Sequence, residues 1–268
     1  MIEITSKCNP KIKEIIKLRK KNKRDENKLF VIEGFREILR AIDGNIEFES
    51  LFISPKLFLG ENENQIIDFF CNNKIPVYEC EKSIFEKISL RERPDGLIAI
   101  AKQRHLYIGD LDKVCRGKKK ILLVIVESIE KPGNLGSILR SSDGVGVDAV
   151  IVCDQVTDIY NPNVIRASIG TVFTNVIIEA DSKEVIEFIK TEKISIVATT
   201  PGAKKEYTDV DLAKNIAIAM GSEQYGLSQV WLDMADIKVK IPMLGKADSL
   251  NVATATTIML YETLRQRK

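Results

Sequence analysis

One histidine, one tryptophan and five cysteines are spread over 268 residues, and each shortage excludes a kind of chemistry. Cys8, Cys71, Cys80, Cys115 and Cys153 form no C-x-x-C pair, and His105 is the only imidazole. Neither a metal site nor a disulfide framework is expected from that inventory. His105 also sits in a stretch without periodicity, so a Ser-His or Cys-His nucleophile is not expected, and its plain reading is a solvated side chain. No apolar run approaches the ~20 residues of a membrane helix. The N-terminus is charged rather than signal-like. The chain therefore reads as a cytoplasmic globular protein, with 44% hydrophobic and 29% charged residues.

A large net charge is also missing: the formal total is +2. The charge is uneven, however. Residues 1–30 hold ten Lys/Arg against four Asp/Glu, which leaves the rest slightly acidic. A basic leading segment on a near-neutral body points to a polyanion, most simply nucleic acid. The plainer alternative is a helix over Pro10–Lys23 with one solvated charged face.

Hydrophobic periodicity divides the chain in two. In residues 1–103 a basic helix (10–22) precedes alternating elements: strand KLFVIEG, helix 35–42, strand FESLFIS, helix 63–73, strand PVYEC, helix 81–89 and strand GLIAIAK. That order predicts a small α/β/α domain. Residues 104–119 lack periodicity and end in a basic run, which marks a linker. Residues 120–268 carry strands at 121–126, 149–153, 176–178, 194–199, 216–220 and 237–241, with helices near 134–143, 162–169, 182–191, 227–233 and 250–266. Continuous apolar strands of this kind are buried on both faces, so the expected fold is an α/β domain with a mostly parallel sheet.

Ligands of parallel sheets sit beyond the carboxyl ends of the strands. Three late strands end in loops of unusual composition: Thr199-Thr200-Pro201-Gly202, Gly221 to Gly226, and Pro242 to Ser249. Each alone is an ordinary turn. Together they suggest a ligand held largely by backbone groups. Ser249 and Asn251 are N-cap residue types ahead of a helix of small and apolar residues, and Asn134 is a plausible cap after Pro132-Gly133. Arg140 follows on the same helix and is of a type that grips phosphate or pairs with an acid. The glycine-rich stretch Asp143–Asp148 superficially matches a dinucleotide fingerprint, but a strand follows it where a helix is required. It reads as a helix-to-strand turn.

Four ordered blocks carry a resemblance: N-L-G-S-I-L-R (134–140), I-R-A-S-I-G (165–170), M-G-S-E-Q-Y-G-L-S (220–228) and I-P-M…S-L-N-V-A (241–253). Together they closely resemble the SpoU family of RNA ribose 2′-O-methyltransferases, within the SPOUT superfamily, over residues 120–266. The block K-L-F-V-I-E-G-F-R-E-I resembles the family's L30e-like substrate-binding domain. The resemblance implies a trefoil-knotted catalytic fold, S-adenosylmethionine as cofactor, RNA as partner, a homodimer, and no metal. It implies catalytic roles for Asn134, Arg140, Glu223, Ser249 and Asn251. It implies cofactor contacts by Thr199, Thr200, Gly202, Gly221, Ile241, Met243, Leu250 and Ala253. Gln224 stands where the family usually has glycine, a departure that would reshape the loop.

A ribose hydroxyl is a very weak acid, so its attack on a methyl sulfonium needs a proton acceptor or stabilisation of the developing oxyanion. A guanidinium remains protonated, so Arg140 fits the stabilising role better than that of a base, and Glu223 either orients Arg140 or Asn134 or accepts the proton through water. Two domains resemble ribosomal-RNA members more than single-domain transfer-RNA members. A transfer-RNA enzyme, an antibiotic-resistance enzyme and a non-catalytic RNA-binding protein of the same fold are the alternatives. A Rossmann oxidoreductase is disfavoured, since no glycine fingerprint opens a helix after the first strand.

Overall fold

The structure is a computed structural model that describes residues 1–268. The first elements are β1 (Ile2–Ile4), α1 (Pro10–Lys17), α2 (Lys21–Asn27), β2 (Leu29–Glu33), α3 (Phe35–Asp43), β3 (Phe48–Ile53), α4 (Glu63–Asn72), β4 (Val77–Cys80), α5 (Lys82–Ile88) and β5 (Leu97–Lys102). There follow α6 (Ile108–Cys115), β6 (Leu122–Glu127), α7 (Pro132–Val145), β7 (Ala149–Cys153), α8 (Pro162–Ala167), β8 (Ile177–Ala180) and α9 (Ser182–Thr191). The last are β9 (Ser195–Thr199), β10 (Lys205–Glu206), β11 (Ile216–Met220), α10 (Gln229–Met234), β12 (Ile237–Lys240) and α11 (Val252–Arg267). No helix is long and apolar enough to cross a membrane. The chain divides into two compact units, Met1–Arg104 with Ile159–Thr174, and His105–Asp158 with Asn175–Lys268.

The first unit is a five-stranded mixed sheet in the order β1-β4-β3-β5-β2, with β5 antiparallel to both its neighbours. The expected basic helix over 10–22 is two helices. Asn9 caps α1 through Lys11 N at 2.9 Å, and Ile12 and Ile15 are buried. The chain then breaks at Leu18–Lys20, because side chains compete for the carbonyls a continuous helix would use. The Arg24 guanidinium donates to Leu18 O at 3.0 Å and Arg19 O at 2.9 Å. Arg19 itself donates to Lys87 O, Ile88 O and Ser89 O. Two of the ten leading cations therefore serve the fold, not a polyanion.

Residues 159–174, which the sequence places with the C-terminal half, belong to the first unit. Phe30 packs on Tyr160 and Phe173, with ring centroids 4.3 and 5.7 Å apart, and Arg40 donates to Ile169 O. Aromatic burial, invisible to periodicity, pulls this segment onto β2 and α3.

The second unit is a seven-stranded parallel sheet in the order β10-β12-β9-β11-β6-β7-β8. All residues of β6, β7 and β11 are buried, as two-faced cover requires. Helix α11 buries threonines because their hydroxyls are satisfied internally: Thr256 donates to Val252 O at 2.7 Å and Thr263 to Met259 O at 2.9 Å. Residues 104–119, expected as a linker, carry α6, whose Leu111 and Cys115 are buried in this unit's core. Its eight residues are too few for a clear period. His105 is likewise no free solvated side chain, since its Nδ1 lies 2.6 Å from Glu179 Oε1. The glycine-rich turn at 143–148 ends α7, where Gly146 takes the left-handed conformation at φ 74°.

Candidate functional site

The loops after β9, β11 and β12 line one cleft of about 580 Å³ in the second unit. Its walls include Thr199, Thr200, Gly221, Glu223, Ile241, Met243, Ser249, Leu250 and Asn251. Nine of the thirteen sequence-derived site residues thus meet there, from three separate stretches of chain. Gly202 is exposed in the first of these loops and Ala253 is buried in the first turn of α11; neither lines the cleft.

The polar centre is a chain of amides ending in a carboxylate. Asn251 caps α11: its Oδ1 accepts from Ala253 N at 2.9 Å and from Thr254 N at 3.4 Å. Backbone N–H groups only donate, so this cap fixes the orientation of the Asn251 amide. Its Nδ2 then donates to Asn134 Oδ1 at 3.0 Å, and Asn134 Nδ2 donates to Glu223 Oε1. Asn134 is not the cap of α7. Pro132 takes the first helical position and Lys131 the cap, which leaves the Asn134 side chain in the first turn, free to bridge Asn251 and Glu223. Glu223 Oε2 is buried with no donor. Thr199 Oγ1, on the same cleft wall, is also buried and unpartnered. Two such atoms in one cleft favour a ligand that brings hydrogen-bond donors or positive charge.

Gly221 is required by close approach. A Cβ there would lie 2.0 Å from Gly226 C and 2.1 Å from Leu227 N. The approach is set by the tight loop that follows: Ser222 N donates to Gly226 O at 3.1 Å, Gly226 N returns to Ser222 O at 3.0 Å, and Tyr225 N donates to Ser222 Oγ at 3.1 Å. Gln224 lies exposed in that loop and lines the cleft. The loop closes without a glycine at 224.

Arg140 does not line the cleft. It is exposed on α7 and its side chain makes no hydrogen bond or ion pair within the chain. Lys131, Asp248 and Leu232 do line the cleft and were not among the expected residues. Lys131 stands beside the helix-opening proline, a usable signal. Leu232 comes from α10 and carries none. The buried thiols are not nucleophiles: burial pushes Cys80 and Cys115 up to about 11 and Cys153 higher still.

Known proteins resemble this chain in sequence and fold. Residues 121–261 match the model of the SpoU rRNA Methylase family, and residues 9–99 match an MRM3-like substrate binding domain. The chain is 28% identical to a 23S rRNA (uridine(2479)-2′-O)-methyltransferase of Streptomyces viridochromogenes, over 93% of this chain and 87% of that protein. A crystal structure of an RNA 2′-O ribose methyltransferase superimposes with a TM-score of 0.86 at 39% identity, covering 99% of each chain. An AdoMet-bound rRNA methyltransferase from Sinorhizobium meliloti gives a TM-score of 0.86 at 30% identity, over 98% of this chain and 97% of that one.

Proposed function

The chain belongs to the SpoU rRNA Methylase family, and from that premise we propose that it is an S-adenosylmethionine-dependent enzyme that methylates a ribose 2′-hydroxyl in ribosomal RNA. The observation that carries the reading is the cleft of the second unit, where loops from three parallel strands meet the Asn251–Asn134–Glu223 chain. A cleft of about 580 Å³ is in the range that takes a small-molecule cofactor. The residues fit this cofactor: the open carboxylate oxygen of Glu223 suits a cationic, donor-bearing ligand, and the Thr199 hydroxyl suits a ribose or adenine.

S-adenosylmethionine supplies an electrophilic methyl group when bound. The protein's residues hold it and prepare the nucleophile. Thr199 and Thr200, with Gly202 shaping their loop, border the adenosine. Gly221, Ile241, Met243 and Leu250 present backbone and side-chain contacts. Ala253 acts through the cap it shares with Asn251. Glu223 is the acceptor nearest in chemistry to a base: Asn134 fixes one of its oxygens and the other stays open. Ser249 and Asn251 lie at the start of α11 and hold the ribose side of the cleft. Arg140 keeps its proton, binds the phosphate next to the target sugar and stabilises the developing oxyanion.

Exposure of Arg140 away from the cleft of its own chain supports a homodimer in which the arginine completes a shared site. The sheet order, with β12 returning between β9 and β10, supports threading of the last crossovers as a trefoil knot. The bacterial relatives, from Streptomyces viridochromogenes and Sinorhizobium meliloti, support a cytoplasmic place of work. Residues 1–104 with 159–174 act as the RNA-binding part, and 105–158 with 175–268 as the catalytic part.

Calorimetry with S-adenosylmethionine tests the reading. One-to-one binding per chain, weakened in Glu223→Ala, is the expected result. No binding by the wild-type protein would remove it and favour a non-catalytic RNA-binding protein.

A further inference from the structure

The first unit has a larger cleft of its own, about 900 Å³, between the start of α3, the loop ahead of α4, residues 90–95 and α8. Its arginines divide into two kinds. Arg91 is committed: it lies 2.7 Å from Glu37 and 3.6 Å from Asp95, and it donates to Glu33 O at 2.8 Å. Arg36, Arg93 and Arg166 line the same cleft, are exposed, and have no partner within the chain. Glu92 is exposed on the same lining, but no ion pair joins it to any of the three, so all three guanidiniums are free to take anions.

The cleft also presents acceptors. Asp95 and Glu63 are 8% and 5% exposed, and each uses one oxygen internally. Asp95 Oδ2 accepts from Phe35 N at 2.8 Å, and Glu63 Oε1 accepts from Leu59 N and Gly60 N at 3.0 Å. Their other oxygens, Asp95 Oδ1 and Glu63 Oε2, are buried without a donor. Leu59 and Leu90, 80% and 43% exposed, add bare apolar surface to the same walls.

A free phosphate would satisfy the arginines and leave the carboxylates worse off; a simple cation would do the reverse. The cleft calls for one ligand that carries anions, N–H or O–H donors and a flat apolar body together. We propose that it seats one unpaired nucleotide of the RNA substrate, with backbone phosphates on Arg36, Arg93 and Arg166 and base or sugar donors on Glu63 and Asp95. The assignment rests on the RNA-methyltransferase reading and adds an anchoring site separate from the cofactor cleft. Arg166 stands within the I-R-A-S-I-G block of the C-terminal half, so a residue of the catalytic motif region completes a site of the first unit.

The test uses the full chain and unmodified large-subunit ribosomal RNA in filter binding across a salt series. The triple variant Arg36→Ala/Arg93→Ala/Arg166→Ala should bind on the order of tenfold more weakly, and the slope of log affinity against log salt should fall by about 2, at roughly 0.7 per single-strand phosphate contact. Glu63→Gln keeps an oxygen for Leu59 N and Gly60 N while turning the open acceptor into a donor, and should also weaken binding. An unchanged far-ultraviolet circular-dichroism spectrum and thermal unfolding of the full chain, with unchanged affinity for S-adenosylmethionine, show that both units of the variants are folded. Wild-type affinity and slope in the folded triple variant would overturn the nucleotide site while the enzyme reading stands. Wild-type affinity in Glu63→Gln would overturn the donor contacts. Failure of the wild-type protein to bind or methylate the RNA would overturn both readings.

Discussion

The cleft of the second unit is lined by loops that leave neighbouring parallel strands, whereas the cleft of the first unit is lined by side chains from four unrelated segments. The first kind of site is set by topology: once β9, β11 and β12 lie parallel, their carboxyl-end loops must meet. The second kind depends on which long side chains happen to lack partners, which only packing decides. The lesson is one of rigidity against reach. Backbone loops pinned between a buried sheet and α11 suit a small ligand whose atoms must be placed accurately. Exposed arginines suit a large polyanion that is caught first and positioned afterwards.

The sharpest way to break that division is Arg140→Ala. If Arg140 works on the transition state and not on the cofactor, turnover should fall about a hundredfold, the loss typical of a preorganised charged donor. Cofactor affinity by calorimetry should be unchanged, since Arg140 is assigned to the RNA phosphate and the developing oxyanion and not to the cofactor. A variant with near-normal turnover would remove Arg140 from the chemistry. Gly221→Ala strikes the rigid cleft directly. Its methyl would overlap Gly226 and Leu227 backbone atoms at 2.0–2.2 Å. The loop must move, and cofactor affinity should drop on the order of tenfold, as expected for ~1–3 kcal/mol of overpacking. RNA affinity measured without cofactor should stay near wild type, because the arginine cleft lies in the other unit.

Asn251→Ala removes the cap of α11 and the fixed partner of Asn134. A lost cap costs about 1 kcal/mol, which for a chain of this size lowers Tm by roughly 2–4 °C. Turnover should fall further than stability alone explains, because Asn134 would no longer be held in one orientation for Glu223. The mildest probe is alkylation at pH 8. Cys8 and Cys71 are exposed and should react quickly, while Cys80, Cys115 and Cys153, buried with raised pKa values, should react only on unfolding. Fast labelling of Cys153 in the native protein would mean that the sheet bearing the cofactor loops opens readily.

The sequence revealed the two sites unequally. Strand ends, the Asn251 cap and the three loops of the second unit follow from apolar runs, glycine placement and cap residue types, all local signals. The amide relay was not legible, because Asn134, Glu223 and Asn251 meet only through the sheet order. Asn134 looked like a cap and is a bridge, since Pro132 starts the helix two residues earlier. The break after α1 was hidden because Arg19 and Arg24 look solvated in sequence and instead donate to backbone carbonyls. The arginine cleft was not legible: Arg36 and Arg166 stand in two separate motif blocks and Arg93 in none, and nothing in the sequence joins them until Tyr160 and Phe173 bring residues 159–174 against Phe30.

The most direct test of the central claim is to incubate the protein with unmodified ribosomal RNA and methyl-labelled S-adenosylmethionine, hydrolyse the RNA in alkali and locate the label. Methylation of a ribose 2′-oxygen blocks cleavage at that linkage, so label is expected in a single alkali-resistant dinucleotide, formed about a hundredfold more slowly by Arg140→Ala. Label released in ordinary mononucleotides, or no transfer by protein that binds the cofactor, would contradict it.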